Sequence, residues 1–321
     1  MNVSDKRIKR KSPQRSRHSG KFRVAIIGAG RMGTTLGRAL NGLGHPIDLA
    51  ITKHAGSARR TAKLLKTEVL TMNQLSRSAA ARERLVGENF FLISTPDDVL
   101  ESVVSQLEAV FKPRPRQRRI AVHTSGALSS KVLKPLQAAG FAVASLHPLV
   151  SIADAESNQD MFWGAYFCIE GDREAVRVAR AMVRQLGGLS FTIDANAKAL
   201  YHAAAVMSSG HVTALFDLAV ATLNHCGLSR PRAHAVLLPL LASTTANLES
   251  KDSAHALTGP FARGDAKTAA KHLAALKSAD IKDALAAYII LGRRSVELAR
   301  TLQKHPSAFN EMSRLLSRSR K

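Results

Sequence analysis

Arg23-Val24-Ala25-Ile26-Ile27-Gly28-Ala29-Gly30-Arg31-Met32-Gly33 is the stretch on which the reading of this chain turns. Its first half is an aliphatic run of the length of a short buried strand. Beyond it, Met32, Leu36 and Leu40 recur at helical spacing until Gly42 and Gly44 end the pattern. A GxGxxG pattern alone is weak, but between a strand and a helix it is a dinucleotide fingerprint. Gly28 permits a tight turn, Gly30 lets backbone approach a pyrophosphate, and Gly33 allows close helix–strand packing. The helix start adds unpaired N–H groups and a positive dipole end for phosphates. Gly28, Ala29, Gly30, Arg31, Met32 and Gly33 are therefore expected to bind the cofactor.

Outward from this stretch, strands and helices alternate. Ile47, Leu49 and Ile51 read as a second strand, and residues 58–66 as a helix. Asn89 to Ile93, Ile120 to Val122 and Ala142 to Ala144 read as further strands, with a helix running to about Val110. A strand-helix-strand unit at about 165–193 extends the series. Such alternation predicts an α/β fold, an N-terminal doubly wound Rossmann-like parallel sheet. From Ala195 the pattern becomes Ala- and Leu-rich and helical, at 195–225, 231–247, 265–276, 279–303 and 306–318. The expected organisation is a basic tail (1–21), a dinucleotide-binding domain (22–194) and an all-α domain (195–321) for substrate binding and dimerisation.

Composition bounds the function. The chain has 321 residues, enough for about two domains, and its 45% hydrophobic and 22% charged content is that of a globular protein. The net charge of +23 suggests a polyanion partner. However, residues 1–21 alone contribute +7, and they have little to bury, which predicts a disordered tail. A second basic cluster, Lys112, Arg114, Arg116, Arg118 and Arg119, reads as solvated charge in a Pro-containing loop with no aromatic neighbours. Nucleic-acid binding through the tail is the weaker expectation. Cys168 and Cys226 have no metal-ligand spacing, so no metal is expected, and so few cysteines fit a reducing cytoplasm. No secretory h-region follows the basic start, and no uninterrupted apolar run reaches the ~18 residues of a membrane span.

The second strand ends in Ile51-Thr52-Lys53-His54, with Ser57, Arg59 and Arg60 close behind. The one nearby acid, Asp48, lies at the other end. An acid would bind the ribose 2′-hydroxyl of NAD; this cationic end favours the 2′-phosphate of NADP, with Lys53 the most telling residue. Arg59 and Arg60 read equally well as solvated helix residues.

Ligands in such sheets lie at the strands' carboxyl ends. Ser94-Thr95-Pro96-Asp97, His123-Thr124-Ser125-Gly126 and His147-Pro148 fall there. Ser94, Thr95, Pro96, Thr124 and Ser125 suit ribose and carboxamide contacts. His123 has a pKa range suited to proton transfer, and His147 to orienting substrate, although for each His taken alone a structural hydrogen bond is the commoner role. On the first helix of the second domain, Lys198, His202, Ala205 and Ser209 share a stripe, with Tyr201 on its shoulder. Polar and small residues on one stripe of an Ala-, Val- and Leu-rich helix suggest a polar cleft, where Lys198 or His202 would donate a proton. In Leu257-Thr258-Gly259-Pro260-Phe261-Ala262-Arg263-Gly264-Asp265, Asp265 is expected to N-cap the next helix and Arg263 to clamp an anionic substrate.

In order, the segments GAGRMG (28–33), HTSGAL (123–128), LHPL (146–149), FCIEGD (167–172), KALYHAAAV (198–206) and LTGPFARGD (257–265) resemble the Rossmann-like proteins that carry domain of unknown function 2520. The resemblance covers Phe22 to about Leu276. That family is similar in architecture to pyrroline-5-carboxylate reductase, ketopantoate reductase and prephenate dehydrogenase. The resemblance implies a helical, 6-phosphogluconate-dehydrogenase-like second domain that commonly dimerises, an active site in the interdomain cleft, and roles for Lys198, His202 and Arg263.

The function expected is an NADP-dependent oxidoreductase acting on a small, anionic carbonyl, imine or hydroxy substrate. NAD is the alternative cofactor, and a deazaflavin could replace one partner. The competing reading is a non-catalytic dinucleotide sensor or regulatory protein.

Overall fold

The computed structural model describes residues 21–53, 55–111, 119–156, 159–302 and 307–318. The expected tail up to residue 20, His54 and four of the five cations of the 112–119 cluster lie outside the described residues. Contacts divide the chain into two compact units, Met1–Val206 and Met207–Lys321. The first unit thus extends beyond the change of texture at Ala195, because the first helix after it buries Lys198 against strands.

In the first unit, strands β1 (Val24–Ile27), β2 (Ile47–Thr52), β3 (Val69–Thr71), β4 (Phe90–Ile93), β5 (Arg119–His123), β6 (Phe141–Pro148), β7 (Tyr166–Gly171) and β8 (Leu189–Phe191) form one sheet. Their order is β3-β2-β1-β4-β5-β6-β7-β8. The first six pair in parallel, in the 3-2-1-4-5-6 order of a dinucleotide-binding sheet, whose chain direction switches between β1 and β4.

The parallel sheet expected across residues 165–193 needs correction. β7 runs antiparallel to β6, and β8 is parallel to β7. A parallel return requires a crossover, usually a helix. Among the described residues of 149–165 the one regular element is a short 3-10 turn, Gln159–Phe162, and Leu149 N–H donates to Tyr166 O at 2.8 Å as β7 begins.

Helices α1 (Arg31–Gly42), α2 (Ala55–Leu65), α3 (Met72–Arg77), α4 (Ala79–Gly87), α5 (Asp97–Glu108), α6 (Lys134–Ala138) and α7 (Arg173–Gln185) cover the sheet, and α8 (Lys198–Met207) closes the unit. The short β3, α3 and α4 have no counterpart in the sequence reading. Strand residues alternate between the two faces. Val24, Ile26, Phe90, Leu92 and Val122 pack with α1 and α7 residues such as Leu36 and Val178. Ala25, Ile27, Phe91 and Ile93 pack with α5 residues such as Leu100 and Val104. Burial on both faces explains why these strands are continuously apolar.

Arg119 corrects the solvated-loop reading. It opens β5, is 2% exposed, and its guanidinium lies 5.0 Å from the Phe111 ring centroid and 5.6 Å from that of Phe141. The aromatic faces and a bond to Val86 O (3.3 Å) shelter a planar cation that water would otherwise hold.

The second unit contains α9 (Gly210–Asn224), α10 (Arg230–Ser250), α11 (Ser253–Ala256), α12 (Gly259–Arg263), α13 (Ala266–Ser278), α14 (Lys282–Arg300) and α15 (Ser307–Arg318). Its core forms where Ala269, Leu273, Ile289, Val296, Met312 and Leu316 meet. α9 and α10 contribute little to any core: only Val220 and Ala233 are buried along them. The stretch Ala195–Asn224 is long and apolar enough, by length and composition alone, to cross a membrane, and 6% of its most apolar window is buried. A search for an uninterrupted apolar run misses it because Lys198 and His202 break the run.

Candidate active site

The glycine loop is built as its spacing requires. Gly28 has φ +91°, and a Cβ there would stand 2.6 Å from the backbone of Ser94. Its N–H donates to Ile51 O at 2.8 Å, tying the turn to β2. A Cβ on Gly33 would lie 2.3 Å from Gly28 O, so the helix rests directly on the turn. Gly30 differs: among the described residues no atom beyond its chain neighbours lies within 4 Å of where its Cβ would be, and as the N-cap of α1 it offers no side-chain cap. The first turn of α1 is therefore reached across an open backbone, which suits a pyrophosphate. Ala29 is buried and its carbonyl accepts from Thr34 Oγ1 at 3.0 Å. Met32 is half-buried and Arg31 exposed, its guanidinium on Ala153 O at 3.4 Å.

Lys53 is exposed just beyond β2. Asp48 sits near the start of the strand on Arg23 Nε at 3.0 Å, away from the glycine loop. Arg60 is held by two acids, Asp154 (2.9 Å) and Glu156 (3.0 Å).

At the next strand ends, Ser94 Oγ and Thr124 Oγ1 share a 2.9 Å hydrogen bond. Thr95 Oγ1 is buried without a hydrogen-bond partner among the described residues, an acceptor and donor that a bound carboxamide or ribose would satisfy. Pro96 is exposed at the N-cap of α5. The residues present thus fit a dinucleotide along its length: the open Gly30 and uncapped α1 for the phosphates, and Ser94, Thr95 and Thr124 farther along.

A second cluster lies on β5, β6 and β7. His123 pairs in register with Ser145, and Ser145 with Glu170. Lys198, 1% exposed, donates from Nζ to Ser145 Oγ at 2.9 Å and to Ser125 O at 3.4 Å. Desolvation lowers its pKa, only partly offset by Cys168, Glu170 and Asp97. Glu170 is buried, accepting from Ser130 N–H and Oγ–H at 2.7 Å each.

His147 Nδ1 and Tyr201 Oη are 2.6 Å apart. Burial, then Lys198 and His202, push His147 down to about 4, while burial and Cys168 push the Tyr201 hydroxyl up. Both groups are neutral near pH 7, and which of them donates follows the tautomer of the imidazole, whose other nitrogen is Nε2. That nitrogen points at Gly126, whose Cβ would lie 2.8 Å from it and 2.4 Å from His202 Cδ2. The His147 and His202 ring centroids are 5.5 Å apart.

His123 is fully buried, its Nδ1 accepting from Ser125 N–H at 3.2 Å. Burial and the Lys198 charge push it down to about 3. It stays neutral near pH 7, and its Nδ1 supports the Ser125 turn. Ser125 is itself buried, its Oγ accepting from Leu128 N–H at 3.0 Å.

The structure thus brings Lys198, His202, His147, Ser125 and His123 together. Ser209 and Arg263 belong to the second unit. Ser209 is exposed at the N-cap of α9, and Arg263 is exposed at the end of α12. Asp265 caps α13 as expected, accepting from Thr268 N–H at 3.0 Å.

Sequence reasoning missed Ser145, Glu170 and the Gly126 contact. Glu170 had a signal, a charge placed directly at the end of the apolar run Phe167-Cys168-Ile169; Ser145 had none.

The family model described as a Rossmann-like domain matches residues 10–148, and that of a domain of unknown function, DUF2520, matches residues 165–295. The chain is a Rossmann-like protein with a DUF2520 domain. Among curated proteins, none matches it in sequence. A candidate NADP oxidoreductase from Bacteroides fragilis superposes with a TM-score of 0.68 at 21% identity, covering 86% of this chain and 98% of that one. A protein from Thermotoga maritima superposes at 0.64 and 21% identity, covering 87% and 98%. The Plasmodium falciparum pyrroline carboxylate reductase with NADP bound superposes at 0.55 and 11% identity, covering 87% and 100%. At these identities the likeness is one of fold.

Proposed function

We propose that this DUF2520 protein is an NADP-dependent oxidoreductase for a small, anionic carbonyl, imine or hydroxy substrate. The observation that carries the reading is the open backbone of Gly30 over an uncapped α1, at the switch point of a 3-2-1-4-5-6 sheet. When bound, the nicotinamide would supply or accept hydride.

The chain's own residues supply the rest. Gly28 to Gly33 hold the pyrophosphate, Lys53 faces the 2′-phosphate, and Ser94, Thr95, Pro96, Thr124 and Ser125 line the path to the nicotinamide. Reduction of a carbonyl or imine also needs a proton. Lys198 is an ammonium whose burial makes it a stronger acid, already aimed at a hydroxyl and a carbonyl. His147, its Nδ1 hydrogen-bonded to Tyr201, lies beside His202 and orients the substrate through Nε2. Ser209 and Arg263 are assigned to the substrate's anionic group.

The chain is further proposed to act as a homodimer. Leu215 on α9, Val236, Leu238, Leu240 and Leu248 on α10 and Ile290 on α14 are all exposed. Exposed apolar side chains in this number on α9, α10 and α14 suit an interface, proposed here with a second copy.

The test is a fluorescence titration with NADPH and with NADH, repeated on Lys53→Ala, followed by turnover assays on carbonyl and imine acids. Tight NADPH binding that weakens at least tenfold in Lys53→Ala supports the cofactor assignment. Binding of neither nucleotide overturns it.

A further inference from the structure

Residues 149–156, which leave β6, lie across the two helices that flank the glycine loop. Ala153 O accepts from Arg31, and Ala155 O accepts from Thr35 Oγ1 (3.3 Å) and Arg38 Nη1 (3.0 Å) of α1. On α2, Arg60 donates from Nη2 to Asp154 at 2.9 Å, and from Nε and Nη2 to Glu156 at 3.2 and 3.0 Å. Glu156 backbone N–H in turn donates to Asp154 Oδ1 at 3.1 Å, and both carboxylates meet on the one guanidinium. Beneath this strap lies a cavity of about 420 Å³, reached by Ala29 of the glycine loop, Gly56, Arg60, Thr61 and Ala155.

We propose that Asp154 and Glu156 are determinants of cofactor choice, occupying on Arg60 the place a ribose 2′-phosphate would take. The inference rests on the dinucleotide reading above. Its chemistry is competition for one guanidinium. The Arg60, Asp154 and Glu156 side chains are each 59% exposed, and exposed pairs of this kind hold weakly. A phosphate carries about two charges and accepts from guanidinium bidentately, so it displaces carboxylates where the 2′-hydroxyl of NAD does not. The acids therefore weaken binding of the phosphorylated cofactor selectively and hold the strap down without it. Asp154 and Glu156 act through Arg60, as positioning residues.

The experiment is a double-mutant cycle on the full chain, with Kd for NADPH and NADH measured by titration calorimetry. Asp154→Asn with Glu156→Gln is expected to tighten NADPH binding about 3- to 10-fold and to leave NADH within twofold. Arg60→Ala is expected to weaken NADPH about tenfold, and in that background the amide pair is expected to change nothing. Hydrogen exchange provides a second readout: NADPH, but not NADH, should speed exchange of amides 151–156. An NADPH affinity unmoved by the amide pair, or moved equally with and without Arg60, overturns the inference and leaves the dinucleotide reading standing. Failure of the wild-type chain to bind either nucleotide overturns the reading, and the inference with it.

Discussion

Lys198 Nζ lies 2.9 Å from Ser145 Oγ, and that bond joins the first helix after the sheet to the centre of β6. The ammonium is 1% exposed, and the nearest buried carboxylate, Glu170, is already committed to Ser130. Its partners are a hydroxyl, a carbonyl and the Tyr201 ring 5.2 Å away, and burying a cation without a paired carboxylate destabilises the fold. Such a cost is carried where function needs it.

Lys198→Met should separate the two effects. Turnover is expected to fall by at least a hundredfold, while stability rises by about 1 kcal/mol, or roughly 2–4 °C in Tm for a chain of this size. The sign with pH follows from the lowered pKa. Below it, Lys198 is charged in both folded and unfolded chains and the burial penalty is full. Between it and 10.5, the folded chain has lost a proton that the unfolded chain keeps, so the penalty fades as pH rises. The stability advantage of the Met variant should therefore shrink from pH 7 to pH 10 in urea titrations; a constant or growing gap refutes the assignment.

The two buried imidazoles set the acid limit. His123 and His147 fall to about 3 and about 4 from 6.5. Above pH 6.5 both are neutral in folded and unfolded chains. As pH drops from 6.5 towards 4, the unfolded chain takes up two protons that the folded chain refuses, and stability falls. Each imidazole contributes about 1.4 kcal/mol per pH unit in that window. Denaturation midpoints from pH 7.5 to 4.5 should show this slope, and His147→Gln should remove about half of the share due to this pair. An unchanged slope would place His147 in a solvated setting.

The three glycines of the fingerprint should fail in different ways. Gly30→Ala meets nothing in the fold and has an ordinary φ of −76°, so stability is expected to hold or rise by about 0.5 kcal/mol, with nucleotide binding weakened tenfold or more. Gly28→Ala and Gly33→Ala drive a Cβ into backbone and should cost about 1–3 kcal/mol of stability. Paired measurements of Tm and nucleotide Kd check the contrast. Equal loss of stability in all three would remove the special place of Gly30.

The exposed leucines of α10 make a prediction about assembly. Leu238→Glu with Leu240→Glu adds charge at positions 48% and 64% exposed, so each chain should fold normally. Sedimentation at micromolar concentration should give a dimer for the wild type and a monomer for the variant. A wild-type monomer would sink the dimer proposal.

Much of this was legible in the sequence, and the reason is locality. Val24 to Gly33 specifies a strand, a turn and a helix start through side-chain size and glycine's access to positive φ, and Gly28 at +91° bears it out. Asp265 and Thr268 make a cap within one helical turn. Alternation along each strand places its residues on the faces where they pack.

Tertiary structure alone decided the rest, since it depends on partners far apart in the chain. β7 turned against β6 because the described residues of its connection form no crossover helix, a matter of path rather than of strand composition. Ser145 gained meaning only when Lys198, 53 residues later, closed over it. The neutrality of His123 and His147 came from desolvation, which no pattern of neighbours along the chain encodes. Arg60, equally readable as a solvated cation or a phosphate ligand, proved to hold acids 94 and 96 residues away. Backbone propensity acts over a few residues and is written locally. Burial and charge pairing act through space, and only the folded chain sets those distances.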